Sequence, residues 1–361
     1  MKTTKIVSII LFSISMLCSC KSEIRSRKPV DFAGKSDVYK VLYYASLAGS
    51  SHNSQPWKVV VTGNRLIRLY ADTTRELPVV DPARRELYIS LGAFIENLTL
   101  SAGNLGYVSN VKLNDNDKSS MLVAEIHLNK AIPTGFDLSL IERRMTLRIP
   151  FNKNPIIETD VNQIVSPYPQ NIRYYSATSV EGRFIAEKAM SAYNQQAYNN
   201  VAQAELAKWM RFSNKDVKEK KDGLTTAGMQ ITGMAGFFVR NYYKPEDSKK
   251  VSFIKAGIDK TKKQILGCGG WIVIIASNNS VNEWVNMGRI YQNIHLTCTK
   301  LNIGFQPMNQ VVEEEKFKNV VANYLGIKNE LMFVARIGYI ERNPVPVSPR
   351  RSVEDFTQFV E

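Results

Sequence analysis

Two kinds of residue cluster in this chain could do chemistry. One is the run SSHNSQPW, Ser50 to Trp57, in which six polar side chains lead into Pro56, a tryptophan and the apolar stretch Val59 to Val61. A solvated turn accounts for it, since Ser and Asn are turn formers and proline stops a preceding helix. A loop that presents backbone N–H groups and amides to a planar, polar-edged ligand accounts for it as well. The other kind is arginine beside a hydroxyl: Arg143, Arg144, Thr146 and Arg148 in ERRMTLRIPF, and Ser348, Arg350 and Arg351 in SPRRSVEDF. Paired guanidinium donors with a Ser or Thr oxygen are the equipment for a phosphate, although most surface arginine pairs bind nothing specific. There is no Ser-His-Asp or Cys-His arrangement. His52, His127 and His295 lie far apart without ligand spacing, which gives a metal site little support.

The elements that must position these residues occur twice. LYISLGAFIENLTLSAGNL, Leu87 to Leu105, aligns without a gap on EWVNMGRIYQNIHLTCTKL, Glu283 to Leu301, so that Gly92 falls on Gly288 and Asn97 on Asn293. Apolar residues recur at helical spacing in both, which predicts two amphipathic helices. A mid-helix glycine costs about 1 kcal/mol against alanine, and close helix–helix packing is the expected compensation. WKVVVTG (Trp57 to Gly63) and WIVIIAS (Trp271 to Ser277) are strands upstream of the two helices; LVAEIHL (Leu122 to Leu128) and LMFVARIGYI (Leu331 to Ile340) are strands downstream. The order predicts an α+β fold of two fused, related units, roughly 35–140 and 141–361, each with a central mixed sheet flanked by helices. The second carries an insertion at about 187–238. Its uncharged part, TTAGMQITGMAGFF, is either a lid over a ligand or a buried helical hairpin.

At 361 residues, 44% hydrophobic and 10% aromatic, the chain has ample material for a core. Lys2 and Lys5 precede the apolar run Ile6 to Leu17, which ends in LCSC, Leu17 to Cys20. That pattern resembles a bacterial lipobox. It predicts a signal peptide over 1–19, a lipid on Cys20, a polar tether over 20–34, and an exported protein anchored to the cell envelope. No other stretch approaches ~20 uninterrupted apolar residues. The net charge of +14 falls to +12 without Lys2 and Lys5, and nucleic acid is a poor partner for an exported protein. Cys268 and Cys298 are the only cysteines beyond Cys20; one bridge stays open and a disulfide framework is excluded.

The S-x-N-x-Q-P-W core of the polar run (Ser51, Asn53, Gln55, Pro56, Trp57) resembles the signature of the FMN-dependent nitroreductase superfamily. RRMTLR resembles that family's arginine-rich opening, GFQPMNQ (Gly304 to Gln310) the segment after its central helix, and SPRR its C-terminal basic contact. The likeness covers nearly all of 38–356 and is best to the long branch in which two subunits are fused by duplication, the Acg-like proteins. It implies a monomer that mimics the family homodimer and holds one FMN. Arg143, Arg144, Thr146, Arg148, Arg350 and Arg351 would face the phosphate. Ser50, Ser51, Asn53 and Gln55 would face the ribityl chain or ring, and the backbone at Pro307, Met308 and Asn309 would run near flavin N5. The implied activity is hydride transfer from a small-molecule donor, NAD(P)H among the candidates, to a small conjugated acceptor. An FMN-sequestering lipoprotein and a non-enzymatic surface lipoprotein are the alternatives.

Overall fold

The computed structural model describes residues 30–114 and 121–361. The leader, Cys20 and the tether as far as residue 29 lie outside the described residues. Helix α1 (Asp37–Ser46) starts at Ser36, whose hydroxyl accepts from the Tyr39 amide at 3.2 Å, and buries Val38, Val41, Leu42 and Ala45. After the polar run come β1 (Trp57–Thr62) and β2 (Leu66–Ala71), joined by a turn at Gly63 with φ +58°, then α2 (Arg85–Asn104), β3 (Tyr107–Leu113) and β4 (Leu122–Lys130).

The second half repeats this plan at larger scale. Helix α3 (Glu158–Val165) leads into β5 (Ile172–Ser176). A long excursion follows, containing α4 (Val180–Ala197), α5 (Asn200–Trp209), the short strands β6 (Met210–Arg211) and β7 (Leu224–Thr225), α6 (Gly233–Tyr242) and α7 (Val251–Leu266). The chain then returns through β8 (Gly270–Ala276), α8 (Val281–Lys300), β9 (Ile303–Pro307) and β10 (Glu330–Tyr339), and ends in β11 (Thr357–Val360).

Strand order makes the duplication explicit. The first sheet runs β11-β1-β2-β4-β3 and the second β5-β8-β10-β9. Without β11 the two orders are the same, and every neighbouring pair is antiparallel in both. This corrects one sequence correspondence: the counterpart of Trp57 to Gly63 is β5, and the run from Trp271 matches β2. Both misaligned runs are apolar, β-branched and headed by tryptophan, and only their place in a sheet separates them. The excursion, residues 177–269, therefore stands where the first half has its tight turn, and the segment 187–238 is its middle.

The two halves share a core at the α2–α8 crossing. A Cβ on Gly92 would lie 1.9 Å from the Val285 carbonyl oxygen, and one on Gly288 would lie 2.1 Å from that of Ile89. Backbone meets backbone there, as the shared glycines predict. Gln292 donates to Asn97 Oδ1 at 2.8 Å and Arg289 to Glu96 at 3.0 Å beside the contact. The final strand, counted in sequence with the second unit, crosses back: β11 pairs parallel with β1, Val59 opposite Thr357, and Phe356 packs near Trp57 and Phe94. Cys268 and Cys298 are free and buried, and burial pushes the Cys268 thiol up to about 11. Among the described residues no helix is long and apolar enough to cross a membrane.

Candidate functional site

A cavity of about 740 Å³ opens where the halves meet. The first half contributes Gly49 to His52 and the N-terminal turns of α2 through Glu86, Ile89 and Ser90. The second contributes Thr146, Arg148, Tyr291 of α8, Gln306 to Gln310, Glu313 and Phe333. The excursion supplies more than half of the lining, with Met229 to Thr232, Ala235 and Phe238 of the uncharged segment among it.

The structure brings Ser50, Ser51, Thr146, Arg148, Pro307, Met308 and Asn309 into this lining. Their support is local and specific. Ser50 Oγ accepts from the Gln55 amide at 3.0 Å, and Thr146 bridges to Phe305 beside β9. Asn309 donates to Glu86 Oε1 at 2.8 Å and accepts from the Val334 amide at 3.1 Å. With Met308 N–H bonded to the Val334 carbonyl at 2.8 Å, the backbone of Pro307 to Asn309 is fixed as one wall. Arg336, wholly buried, donates to the Leu147 and Ile149 carbonyls and so holds the arginine segment against β10.

The remaining sequence candidates lie outside the lining. Asn53 Nδ2 donates to the carbonyls of Gly223 (3.3 Å) and Pro349 (3.2 Å), and its Oδ1 accepts from Arg350 at 2.7 Å. Gln55, with no exposed surface, donates to the Lys221 carbonyl at 2.8 Å and accepts from the Arg351 amide at 2.9 Å. Arg351 donates to the carbonyls of Gln55, Trp57 and Asp355. These side chains stitch the polar run to the excursion and to the C-terminal segment. Arg143 ends a short helix and turns outward toward Asp137, 3.8 Å away. Arg144 is buried with one donor on the Leu47 carbonyl at 2.8 Å.

Charge in the cavity is separated. On one side Arg148 donates to the Gly228 carbonyl at 3.0 Å and, among the described residues, has no carboxylate at ion-pair distance. Lys260 donates to the carbonyls of Met229 (2.6 Å) and Gln230 (2.8 Å); burial, with Arg148 near, brings its ammonium down to about 8. Arg144, Arg148 and Arg350 all lie within electrostatic reach of Tyr291, whose phenol burial holds above its ordinary range. On the other side Glu86 and Glu313 meet. Burial first, and then the Glu86 charge, raise Glu313 well above the usual carboxylate range, while Gln196 donates to it at 2.6 Å. Burial takes His52, between them and Arg148, down to about 4, so its imidazole is neutral at neutral pH. The sequence reading missed Glu86, Glu313, Lys260 and Tyr291. Only Tyr291 left a signal, a phenol where the aligned helix has Ile95.

No family model matches the chain. Curated relatives do, over nearly its full length. A protein of Mycobacterium tuberculosis named as an NAD(P)H nitroreductase is 23% identical over 341 residues, 91% of this chain and 93% of its own. The NAD(P)H nitroreductase PigM of a Serratia species is 24% identical over 331 residues, 85% and 89% of the two chains. Among solved structures, a nitroreductase of Anabaena variabilis aligns over 89% of this chain and 93% of that one, at 9% identity and a TM-score of 0.43. The FMN-dependent nitroreductase NfnB of Mycobacterium smegmatis, solved with NADPH, aligns over 62% and 100%, at 14% identity and a TM-score of 0.41. Over nearly its full length, then, the chain is similar to proteins named as NAD(P)H nitroreductases.

Proposed function

We propose that the chain is an FMN-containing oxidoreductase that passes electrons from a reduced nicotinamide to a small conjugated acceptor, anchored to the cell envelope through Cys20. The observation that carries the reading is the interfacial cavity with Arg148 facing it and no carboxylate beside that guanidinium among the described residues. A half-buried cation on a cavity wall, without an acidic partner, suits an anionic ligand. Two further polar atoms are buried without a hydrogen-bond partner, Gln310 Oε1 on the lining and Arg144 Nε behind it. The volume falls within the 300–1,000 Å³ range ordinary for cofactor sites. The donor set therefore fits FMN: Arg148, Lys260, Thr146 and the Ser50–Ser51 loop would hold it, with Arg144 and Arg350 adding positive field.

Bound FMN would supply two-electron hydride chemistry. This chain's own residues bind, orient and manage protons. Arg148 and Lys260 concentrate positive charge at one end of the cavity and favour anionic groups there. The Asn309 bridge between Glu86 and Val334 keeps the Pro307–Asn309 wall in place. Glu313 holds a proton against Glu86, because two carboxyl groups in contact cannot both be ionised at little cost.

One cofactor per chain is favoured by the asymmetry of the halves. The first half opens with KSDVYKVLYYAS, which has no arginine. The segment ahead of β5, SPYPQN, has no match to the Asn53-x-Gln55-Pro56-Trp57 run, and its Asn171 side chain donates to the Ile275 carbonyl at 3.0 Å. The test is to purify the full chain, denature it and measure released FMN, expected near one per chain. NADPH oxidation with a nitroaromatic or quinone acceptor should follow. A folded chain that takes up no FMN on reconstitution overturns the reading; FMN without turnover selects the sequestering alternative.

A further inference from the structure

We propose that the outer face of α6, with the start of α7, is a docking surface for an anionic lipid bilayer. Helix α6 turns Met234, Phe238 and Tyr242 outward, 73%, 50% and 68% exposed, at steps of four residues along one stripe. Val251, at the start of α7, is 59% exposed. The Phe238 and Tyr242 rings are 5.8 Å apart, so the stripe is one apolar patch rather than scattered single residues. A patch of this kind marks an interaction surface.

Charge identifies the occupant. Residues 233–263 carry eight Lys and Arg against three Asp and Glu. Lys244, Lys249, Lys250 and Lys255, on the chain that follows the stripe, are exposed, Lys250 being paired with Asp247 at 2.8 Å. An apolar helical stripe with lysines at its margin is the pattern of a helix lying in a membrane interface, where the lysines meet anionic headgroups. The sequence points the same way, since Ile6 to Leu17 and LCSC precede the described residues. With a lipid on Cys20, the ten residues to Val30 would reach at most about 35 Å and keep the body beside the bilayer. The cavity is continuous with this face, because Ala235 and Phe238 are both exposed and part of its lining.

The experiment reconstitutes the full chain carrying Met234→Trp into phosphatidylglycerol–phosphatidylcholine vesicles with brominated acyl chains. The fluorescence of the unsubstituted chain is subtracted. Docking predicts a blue-shifted difference emission that bromine quenches. Adding Lys249→Glu and Lys255→Glu should shift the docking equilibrium about 25-fold, roughly fivefold per lysine, and remove most of the quenching. Tyr242→Trp on the same stripe gives the same reading should Met234→Trp fail to fold. Unquenched, water-exposed emission from both probes on anionic vesicles overturns the proposal. So does an unquenched blue shift in a chain that sediments as a dimer, which assigns the face to a second copy.

Discussion

The turn between β1 and β2 takes three residues, 63–65, whereas between β5 and β8, at the same place in the matching sheet, the chain leaves for residues 177–269. A hairpin end is a point where growth leaves the shared core untouched: strand order and the glycine crossing are kept on both sides, and only the connection differs. The bare half kept the polar run and the elaborated half gained a cover. The two are now tied to each other, because Asn53 and Gln55 spend their amides on Gly223 and Lys221 of the excursion. Asp222 between them pairs with Arg75 and with Arg211, both at 2.8 Å. The added connection of one half therefore takes up amides of the other.

The largest effect should come from breaking what the halves share. Gly92→Ala places a methyl 1.9 Å from a backbone oxygen that has no rotamer to change. A loss of about 3 kcal/mol in urea unfolding is expected, with Gly288→Ala similar. A neutral result for both would mean that the helices can part without cost.

Next comes the contrast between arginines of one segment. Arg148→Ala should weaken FMN binding about 10- to 100-fold by equilibrium titration, one charge-assisted bond being worth about 1.5–3 kcal/mol. Arg143→Ala, exposed and turned to Asp137, should leave it unchanged. Equal effects would show that the cavity is not the anion site.

Cutting the stitch tests the tie between loop and cover. Asn53→Ala with Gln55→Ala should cost about 2 kcal/mol and speed limited proteolysis within 210–225. Unchanged cleavage there would show that the amides carry no tie.

A pH dependence is the last test. Burial, and then Glu86, raise the Asp81 carboxyl to about 7, from 3.8. The folded state thus binds a proton in that window that the unfolded chain has lost. Its contribution is present below about pH 4 and is lost as the pH rises toward 7. Asp81→Asn keeps an oxygen for the Leu87 amide, now 3.0 Å from Asp81, and should flatten this fall in denaturation midpoints. An unaltered slope would assign the dependence to Glu313.

Much of the fold was legible because its signals are local and periodic. The α2 and α8 repeats show at helical spacing, and their matched glycines predicted the crossing. The strand equivalence failed at Trp57 and Trp271, because two apolar runs carry no information about their neighbours across a sheet. Of the residues named from their motifs, Ser50, Ser51, Thr146, Arg148 and Pro307 to Asn309 line the cavity. Asn53, Gln55 and Arg351 lie outside that lining and bond to backbone groups, since residue type tells what a side chain can bond and not which partner it meets.

By itself, then, the sequence determined the doubled α+β plan, the glycine-to-glycine crossing and the family motifs, all of which depend on residue type at fixed spacing along the chain. The tertiary structure decided what depends on distance through space. It chose which arginine of Arg143, Arg144 and Arg148 faces the cavity and brought Glu86 against Glu313, 227 residues apart. It also returned β11 to the first sheet. A buried charge takes its role from the solvent it loses and the partners it gains, and neither is written in the residues beside it.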